Sequence, residues 1–172
     1  MKEYRNGENV VYGRLGVCRI VDIAPMDSGL DAPERLYYVL QPVFDKIKVY
    51  VPTDDGAAPM RKALTRAEAD ALIDAIPDMK VKPKTFTGSA AGRDLTEHYR
   101  EKLESRRCVD LIELTMSIYA KKQRGKCGSV DKSFMKQAED LLFGELSVAL
   151  GIEKEGVPAY IGSRVARRQP AA

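Results

Sequence analysis

Few side chains in this sequence could carry out catalysis. His98 is the only histidine among the 172 residues, and Glu97 and Tyr99 flank it in a helical pattern. A Ser/His/Asp or Cys/His nucleophile system needs a nucleophile, a base and an orienting group, and no such set can be assembled around His98. We therefore predict no catalytic residues and no enzyme, and we expect His98 to lie at the surface or in a groove.

The other candidates for metal or cofactor chemistry fit structural roles. The segments 27–29 (DSG) and 54–56 (DDG) read as turns, because no calcium-loop set of oxygen ligands surrounds them. Gly13 and Gly16 lie between strands and open no helix, so a phosphate-binding loop is not indicated. We predict no metal and no cofactor. Three cysteines, odd in number and widely spaced, predict reduced thiols in the cytoplasm. They are Cys18, Cys108 and Cys127.

Basic residues are concentrated in the middle of the chain. The net charge is only +3, and residues 1–63 hold nine Lys or Arg and nine Asp or Glu. Residues 80–136 hold fourteen Lys or Arg against seven Asp or Glu, a local net charge of +7. A solvated helical face and a site for a polyanion are both compatible with this charge, which by itself favours the first. No apolar run approaches the roughly 20 residues that span a bilayer, so we expect no membrane association.

Residues 1–63 carry strand patterns. Short segments rich in β-branched and aromatic residues lie at 10–12, 17–21, 36–40 and 47–51, and turn residues separate them. Four or five strands in about 60 residues fit a small antiparallel β-barrel of the SH3 or Tudor kind, because so short a sheet must curl to enclose a core. The predicted fold class is α+β, with this barrel followed by an all-α domain.

Residues 64–172 carry helical patterns. Thr65 and Glu68 form a capping box for a helix that ends before Pro77, and residues 80–92 have no periodicity, which predicts an exposed, mobile linker. Three bundle helices and a short helix over 157–165 follow, with a frayed basic tail from 166. The predicted apolar stripes are Leu95, Tyr99 and Leu103; then Val109, Ile112, Met116 and Tyr119, ending near Gly125; then Phe134, Ala138, Leu141, Leu142, Leu146 and Ala149, between Ser129 and Gly151.

The sequence predicts a barrel followed by a basic helical domain, and residues 7–17 carry the motif GENVVYGRLGV. In this order and in this motif, the chain resembles the CarD/CdnL family of bacterial transcription regulators. Residues 99–104 (YREKLE) are similar to the first bundle helix of that family, and residues 132–146 (KSFMKQAEDLLFGEL) to its helix ending in Gly-Glu-Leu. The resemblance implies an RNA polymerase-interacting domain at 1–63, related to that of the transcription-repair coupling factor. It also implies a DNA-facing helical domain at 64–172.

The resemblance implies that an edge strand of the barrel pairs with a strand of the polymerase β subunit. The matching positions are Met26 and the strand of Val49, Tyr50 and Val51. Family members carry arginines where Met26 and Tyr50 stand, so we expect backbone pairing without the charge-assisted part of the contact. Without the resemblance, Tyr50 is better explained as an aromatic residue on the barrel surface.

For the helical domain, the resemblance implies a side chain pressed into the minor groove beside the melted promoter. The family's tryptophan corresponds to Leu95, an apolar type that other minor-groove proteins use as a wedge. Packing of Leu95 with Tyr99 and Leu103 in the bundle core is an equal alternative. Glu97 and His98 replace two basic family positions. Phosphate contacts are predicted for the matching basic residues Arg100 and Lys132, and for Arg93, Arg106, Arg107, Lys121, Lys122 and Arg124.

Two hypotheses about function follow. In the first, a monomer bound to polymerase through its barrel touches promoter DNA weakly, and the tether raises the effective concentration at which it alters open-complex stability. In the second, the helical domain binds another protein, which the departures at Leu95, Glu97 and His98 favour. The local charge of +7 favours the first hypothesis. An enzyme is a distant third, because no acid, base or nucleophile constellation is present.

Overall fold

The computed structural model describes residues 3–27, 29, 33–54 and 59–168. The chain divides into two compact units, Met1–Ala63 and Leu64–Ala172. Parts of the turns predicted at 27–29 and 54–56, and the end of the basic tail from residue 169, lie outside the described residues. None of the helices described is both long and apolar enough to cross a membrane.

In the described residues of the N-terminal unit, five strands form an antiparallel sheet. Along the chain these are β1 (Asn9–Tyr12), β2 (Val17–Met26), β3 (Arg35–Pro42), β4 (Val49–Pro52) and β5 (Met60–Lys62). Their order in the sheet is β4-β3-β2-β1-β5. The predicted α+β class, with antiparallel strands first and helices after, is confirmed.

Side chains alternate between the two faces of each strand, and those on one face form the core of this unit. Tyr38 on β3 lies opposite Val51 on β4, and Leu40 lies opposite Ile20 on β2, all facing inward and buried. The register of β2 shifts between Ile20 and Asp22, a β-bulge that increases the local twist of the longest strand. This twist helps a small sheet to cover one side of its own core.

The described part of the second unit, residues 64–168, contains five α-helices. They are α1 (Arg66–Ala75), α2 (Ala91–Glu104), α3 (Cys108–Gln123), α4 (Ser129–Leu150) and α5 (Val157–Arg168). The capping box of Thr65 and Glu68 that starts α1 is confirmed. Gly151 ends α4 with a φ of 67°, the left-handed conformation that glycine adopts without steric cost. The last helix continues three residues beyond the predicted 157–165.

The apolar stripe predicted for α3 is wrong in part. Ile112 is buried as predicted, but Leu111, Leu114 and Ile118 are its main companions, and Tyr119 is 54% exposed. The reason is that α3 packs against both α2 and α4, so it buries more than one face and no single stripe describes it.

The segment before α2 is also less exposed than predicted. Residues 79–87 form no helix or strand, yet Val81, Pro83 and Phe86 are partly buried. The ring of Phe86 lies 6.1 Å from the ring of His98 on α2. Apolar side chains spaced along the segment therefore hold it against the helical unit, and His98 lies in a groove beside it.

Candidate functional site

The strand β4 forms one edge of the sheet, since among the described residues it pairs only with β3. The amide of Thr53 donates to the carbonyl of Leu36 at 3.0 Å. Hydrogen-bonded pairs alternate along an antiparallel ladder, so the pair of Tyr50 and Val39 lies at a non-hydrogen-bonded position. The N–H and C=O groups of Tyr50 therefore point away from β3, toward the outside of the sheet.

The side chains beside this edge share the face of the sheet opposite to the core. Tyr50 lies opposite Val39 and is 48% exposed, and Met26 lies opposite Arg35 on the neighbouring pair of strands. Because side chains alternate between faces, Met26, Arg35 and Tyr50 all belong to the same face. Arg35 also forms a bidentate ion pair with Asp54, just beyond the end of β4. No pattern in the sequence singled out Arg35, because its place depends on cross-strand register.

The family model of the CarD-like/TRCF RID domain matches residues 4–64, the span of this sheet. The N-terminal unit belongs to the CarD-like/TRCF RID domain family. It is thus an RNA polymerase-interacting domain of the kind found in transcription proteins. The resemblance stated from the sequence is confirmed for this part of the chain. No curated protein matches the chain.

Within the CarD-like domain, the residues predicted for the polymerase contact do not all lie at an accessible surface. Tyr50 and Met26 are exposed, and Val49 is partly buried. Val51 is buried in the core opposite Tyr38, so it is not available as a contact side chain. Its spacing explains this difference: Val51 is one residue from Tyr50, and neighbouring residues of a strand face opposite sides.

The residues predicted for DNA contacts fall into two groups. Leu95 and Arg106 are partly buried, and Lys121 is buried. Leu95 packs against the core of the helical unit together with α2 neighbours, which agrees with the core alternative for this residue. The exposed residues are Arg93, Arg100, Arg107, Lys122, Arg124 and Lys132.

Lys121 is the clearest correction, because it is part of a buried polar network and not a surface cation. Its ammonium group donates to Asp131 Oδ1 at 2.9 Å and to the hydroxyl oxygen of Tyr99 at 3.1 Å. The Tyr99 hydroxyl in turn donates to Asp131 Oδ1 at 2.6 Å, and the Gly128 amide donates to Oδ2 at 2.8 Å. A lysine whose charge is already paired inside the protein cannot also neutralise a phosphate.

Two members of this network, Asp131 and Tyr99, have shifted pKa values. Burial acts to raise the pKa of Asp131, but hydrogen bonds from Tyr99, Lys121 and Gly128 outweigh it, and the pKa lies below its ordinary value. Burial and the neighbouring carboxylate raise the pKa of Tyr99. The network is therefore an ionised carboxylate between an ammonium group and a neutral phenol.

The network also joins three helices of the unit. Tyr99 lies on α2, Lys121 near the end of α3 and Asp131 in the first turn of α4. The next residue in each case is one of the exposed candidate cations, which are Arg100, Lys122 and Lys132. Within the described residues none of these three makes an ion pair with an acidic side chain. These three residues, which follow the members of the buried network on three helices that contact one another, are here called the cationic end.

Arg107 differs from the cationic end because it is already paired. Its Nε donates to Asp110 at 2.8 Å, and Lys102 donates to the same carboxylate at 3.2 Å and to Glu113 at 2.8 Å. These hydrogen bonds outweigh the burial of Asp110 and hold its pKa at about 2. Across the described residues, no group of three or more His, Cys, Asp and Glu side chains is placed to hold a metal ion.

Proposed function

We propose that this protein is a monomeric, cytoplasmic bacterial transcription regulator that binds the RNA polymerase β subunit through its CarD-like domain and promoter DNA through its helical unit. It acts by binding and not by catalysis, and it changes the stability of the open complex. The observation that carries the proposal is a free β4 edge in a domain of RNA polymerase-interacting type.

The proposed polymerase contact is the addition of a strand to β4. Strand addition needs outward-facing backbone donors and acceptors, and Tyr50 offers one of each. Pro52 offers only an acceptor, since proline has no backbone N–H. The pairing is therefore short and centred on Tyr50.

Side chains on the outer face would add to this pairing. Tyr50 and Met26 present apolar area, and Arg35 supplies a cation on the same face. The guanidinium group of Arg35 is already paired with Asp54, so we do not expect it to replace the arginines that the resemblance implies at Met26 and Tyr50. Its pairing with Asp54 fixes the position of its guanidinium group.

A comparison of two substitutions at Tyr50 in the full-length chain tests this contact. Tyr50→Ala removes the side chain alone, whereas Tyr50→Pro also removes the outward N–H without breaking a hydrogen bond to β3. We expect Tyr50→Pro to weaken binding to the β subunit more than Tyr50→Ala. Lys62→Pro is the control, because the Ala63 amide bonds to Asn9 and the register turns the Lys62 N–H outward at the opposite edge.

Binding to the β subunit is measured by pull-down and titration, with melting curves to show that each variant is folded. Equal binding by Tyr50→Pro and the wild-type chain would refute the β4 assignment. Loss of binding in Lys62→Pro alone would move the contact to the β5 edge.

The proposed DNA contact is the cationic end. Each phosphate that a Lys or Arg neutralises adds roughly 0.9 to the slope of log affinity against log salt concentration. Three cations give a slope of at most about 3, so binding by the helical unit alone is weak and nonspecific. Tethering to polymerase raises the effective concentration of this weak site beside the promoter.

The second candidate function is a helical unit that binds another protein in place of DNA. It is favoured by the burial of Lys121 and the packing of Leu95 against the core, and by the pairing of the exposed Arg107 with Asp110. A salt titration on forked promoter DNA, with and without polymerase, separates the two functions. We expect a polymerase-dependent shift at low salt that Lys132→Gln reduces, and no shift at any salt concentration would favour the second candidate.

A further inference from the structure

A cleft of about 240 Å³ lies in the helical unit between segment 80–84 and the helices α2 and α3. Lys80, Lys82 and Lys84 line one side of it, and Lys102 and Ser117 are among the residues that line the helical side. We propose that this cleft binds the terminal phosphate group of a small phosphorylated molecule. The proposal does not depend on the function proposed above, because none of the residues of the cationic end lines the cleft.

The side chain that points to a ligand is Ser117 on α3. It is only 7% exposed, and its hydroxyl oxygen is buried without a hydrogen-bond partner among the described residues. A helical serine or threonine commonly bonds to a carbonyl one turn earlier, as Thr115 and Ser147 do at 2.8 Å. An unpaired buried hydroxyl is costly to the free protein, so its retention beside a cleft indicates a polar partner that binds there.

The charge of the lining indicates that this partner is an anion. Four lysines and one glutamate line the cleft. Glu113 accepts from Lys102 at 2.8 Å, so its charge is largely neutralised by that contact. The lysines at 80, 82 and 84 make no ion pair with any acidic side chain among the described residues.

His98 also lines the cleft, and its pKa is lowered. Burial lowers its pKa first, and the nearby ammonium groups of Lys84 and Lys102 lower it further. A neutral imidazole at the wall can donate one hydrogen bond to a phosphate oxygen or accept one from a phosphate hydroxyl.

The size of the cleft favours a small ligand over duplex DNA. The volume lies just below the roughly 300–1,000 Å³ of pockets that hold drug-sized ligands, which suits a compact anionic group. Ser117 is among the residues that line the cleft, and a terminal phosphate, which is linked through one oxygen only, presents three oxygens toward that lining. A phosphate within a duplex backbone is held at the surface of the double helix by its two ester links.

The test uses inorganic pyrophosphate as the probe and isothermal titration calorimetry on the full-length chain. We expect binding with one site per chain, and a loss of roughly tenfold to a hundredfold in Ser117→Ala, the range for a hydrogen bond to a charged group. Ser147→Ala is the matched control, because its hydroxyl is also buried but already bonded to Gly144. Lys82→Gln should weaken binding, and Lys136→Gln, which does not line the cleft, should not.

Thermal unfolding without ligand gives a second measurement. We expect Ser117→Ala to melt at the same temperature as the wild-type chain or higher, because it removes an unpaired buried hydroxyl. A clear fall in its melting temperature would mean that the hydroxyl is already bonded in the free protein, and would overturn the proposal.

A parallel titration with duplex DNA that lacks terminal phosphates distinguishes a small phosphorylated molecule from a DNA backbone as the source of the phosphate. The proposal predicts that Ser117→Ala leaves duplex binding unchanged. It is overturned if pyrophosphate fails to bind at about 10 mM, if Ser117→Ala binds it as well as the wild-type chain does, or if the substitution weakens only duplex binding.

Discussion

Replacing Lys121 with methionine should destabilise the helical unit much more than the same substitution at Lys122. The two residues are adjacent in α3, yet Lys121 is buried in the network with Asp131 while Lys122 is exposed. Lys121→Met keeps most of the aliphatic side chain and removes the ammonium group. The perturbation therefore isolates the buried charge.

The expected magnitude follows from the burial of the pair. The side chains of Lys121 and Asp131 are 9% and 5% exposed, so removing the cation leaves a carboxylate inside the protein without its counter-charge. Breaking a buried pair in this way costs about 3–5 kcal/mol. Asp131 keeps hydrogen bonds from Tyr99 and Gly128, which places the expected loss near the lower end, at about 3 kcal/mol.

Urea unfolding followed by circular dichroism at the helical band measures this loss, since the α-helices of the described residues belong to the second unit. With a slope of about 2 kcal/mol per molar urea, the midpoint of Lys121→Met should fall by about 1.5 M. Lys122→Met should stay within about 0.5 kcal/mol of the wild-type chain. The deficit of Lys121→Met should shrink in acid, because protonation of Asp131 removes the unpaired charge.

A loss of less than about 1 kcal/mol for Lys121→Met, or equal losses for the two variants, would refute this reasoning. Either result would mean that Lys121 is a solvated surface residue, as the sequence alone suggested. It would then return to the set of candidate phosphate contacts.

Three further predictions test other parts of the structure. The pKa of Asp110 lies below its ordinary value, at about 2, so the ionised carboxylate stabilises the fold above about pH 4 and this stabilisation is lost toward pH 2. Acid unfolding of Asp110→Asn should therefore lack about 2 kcal/mol of the wild-type pH dependence. Glu145→Ala should lower the free energy of unfolding by about 2–4 kcal/mol in urea titrations, because it removes the carboxylate that accepts from the Leu64 amide and the Cys108 thiol, each at 2.9 Å. In melting experiments, Tyr119→Ala should change stability by less than about 0.5 kcal/mol while Ile118→Ala costs about 2–5 kcal/mol, and the reverse order would restore the apolar stripe predicted from the sequence.

The sequence determined the features that depend on local chemistry. The capping box at Thr65, the left-handed end of α4 at Gly151 and the change from strands to helices after residue 63 all follow from residues close together in the chain. The family of the N-terminal unit was also readable, because the motif at residues 7–17 is contiguous.

Tertiary structure decided which side chains are available to a partner. Lys121 follows Ile118 by three positions and Leu114 by seven, a spacing that lies on the buried face of α3, but the charge of a lysine suggested solvent. Only the arrival of Tyr99 and Asp131 from two other helices makes that burial possible. The sheet shows the same dependence, because the face and edge on which Arg35 and Tyr50 lie are set by strand register, which joins residues distant in sequence.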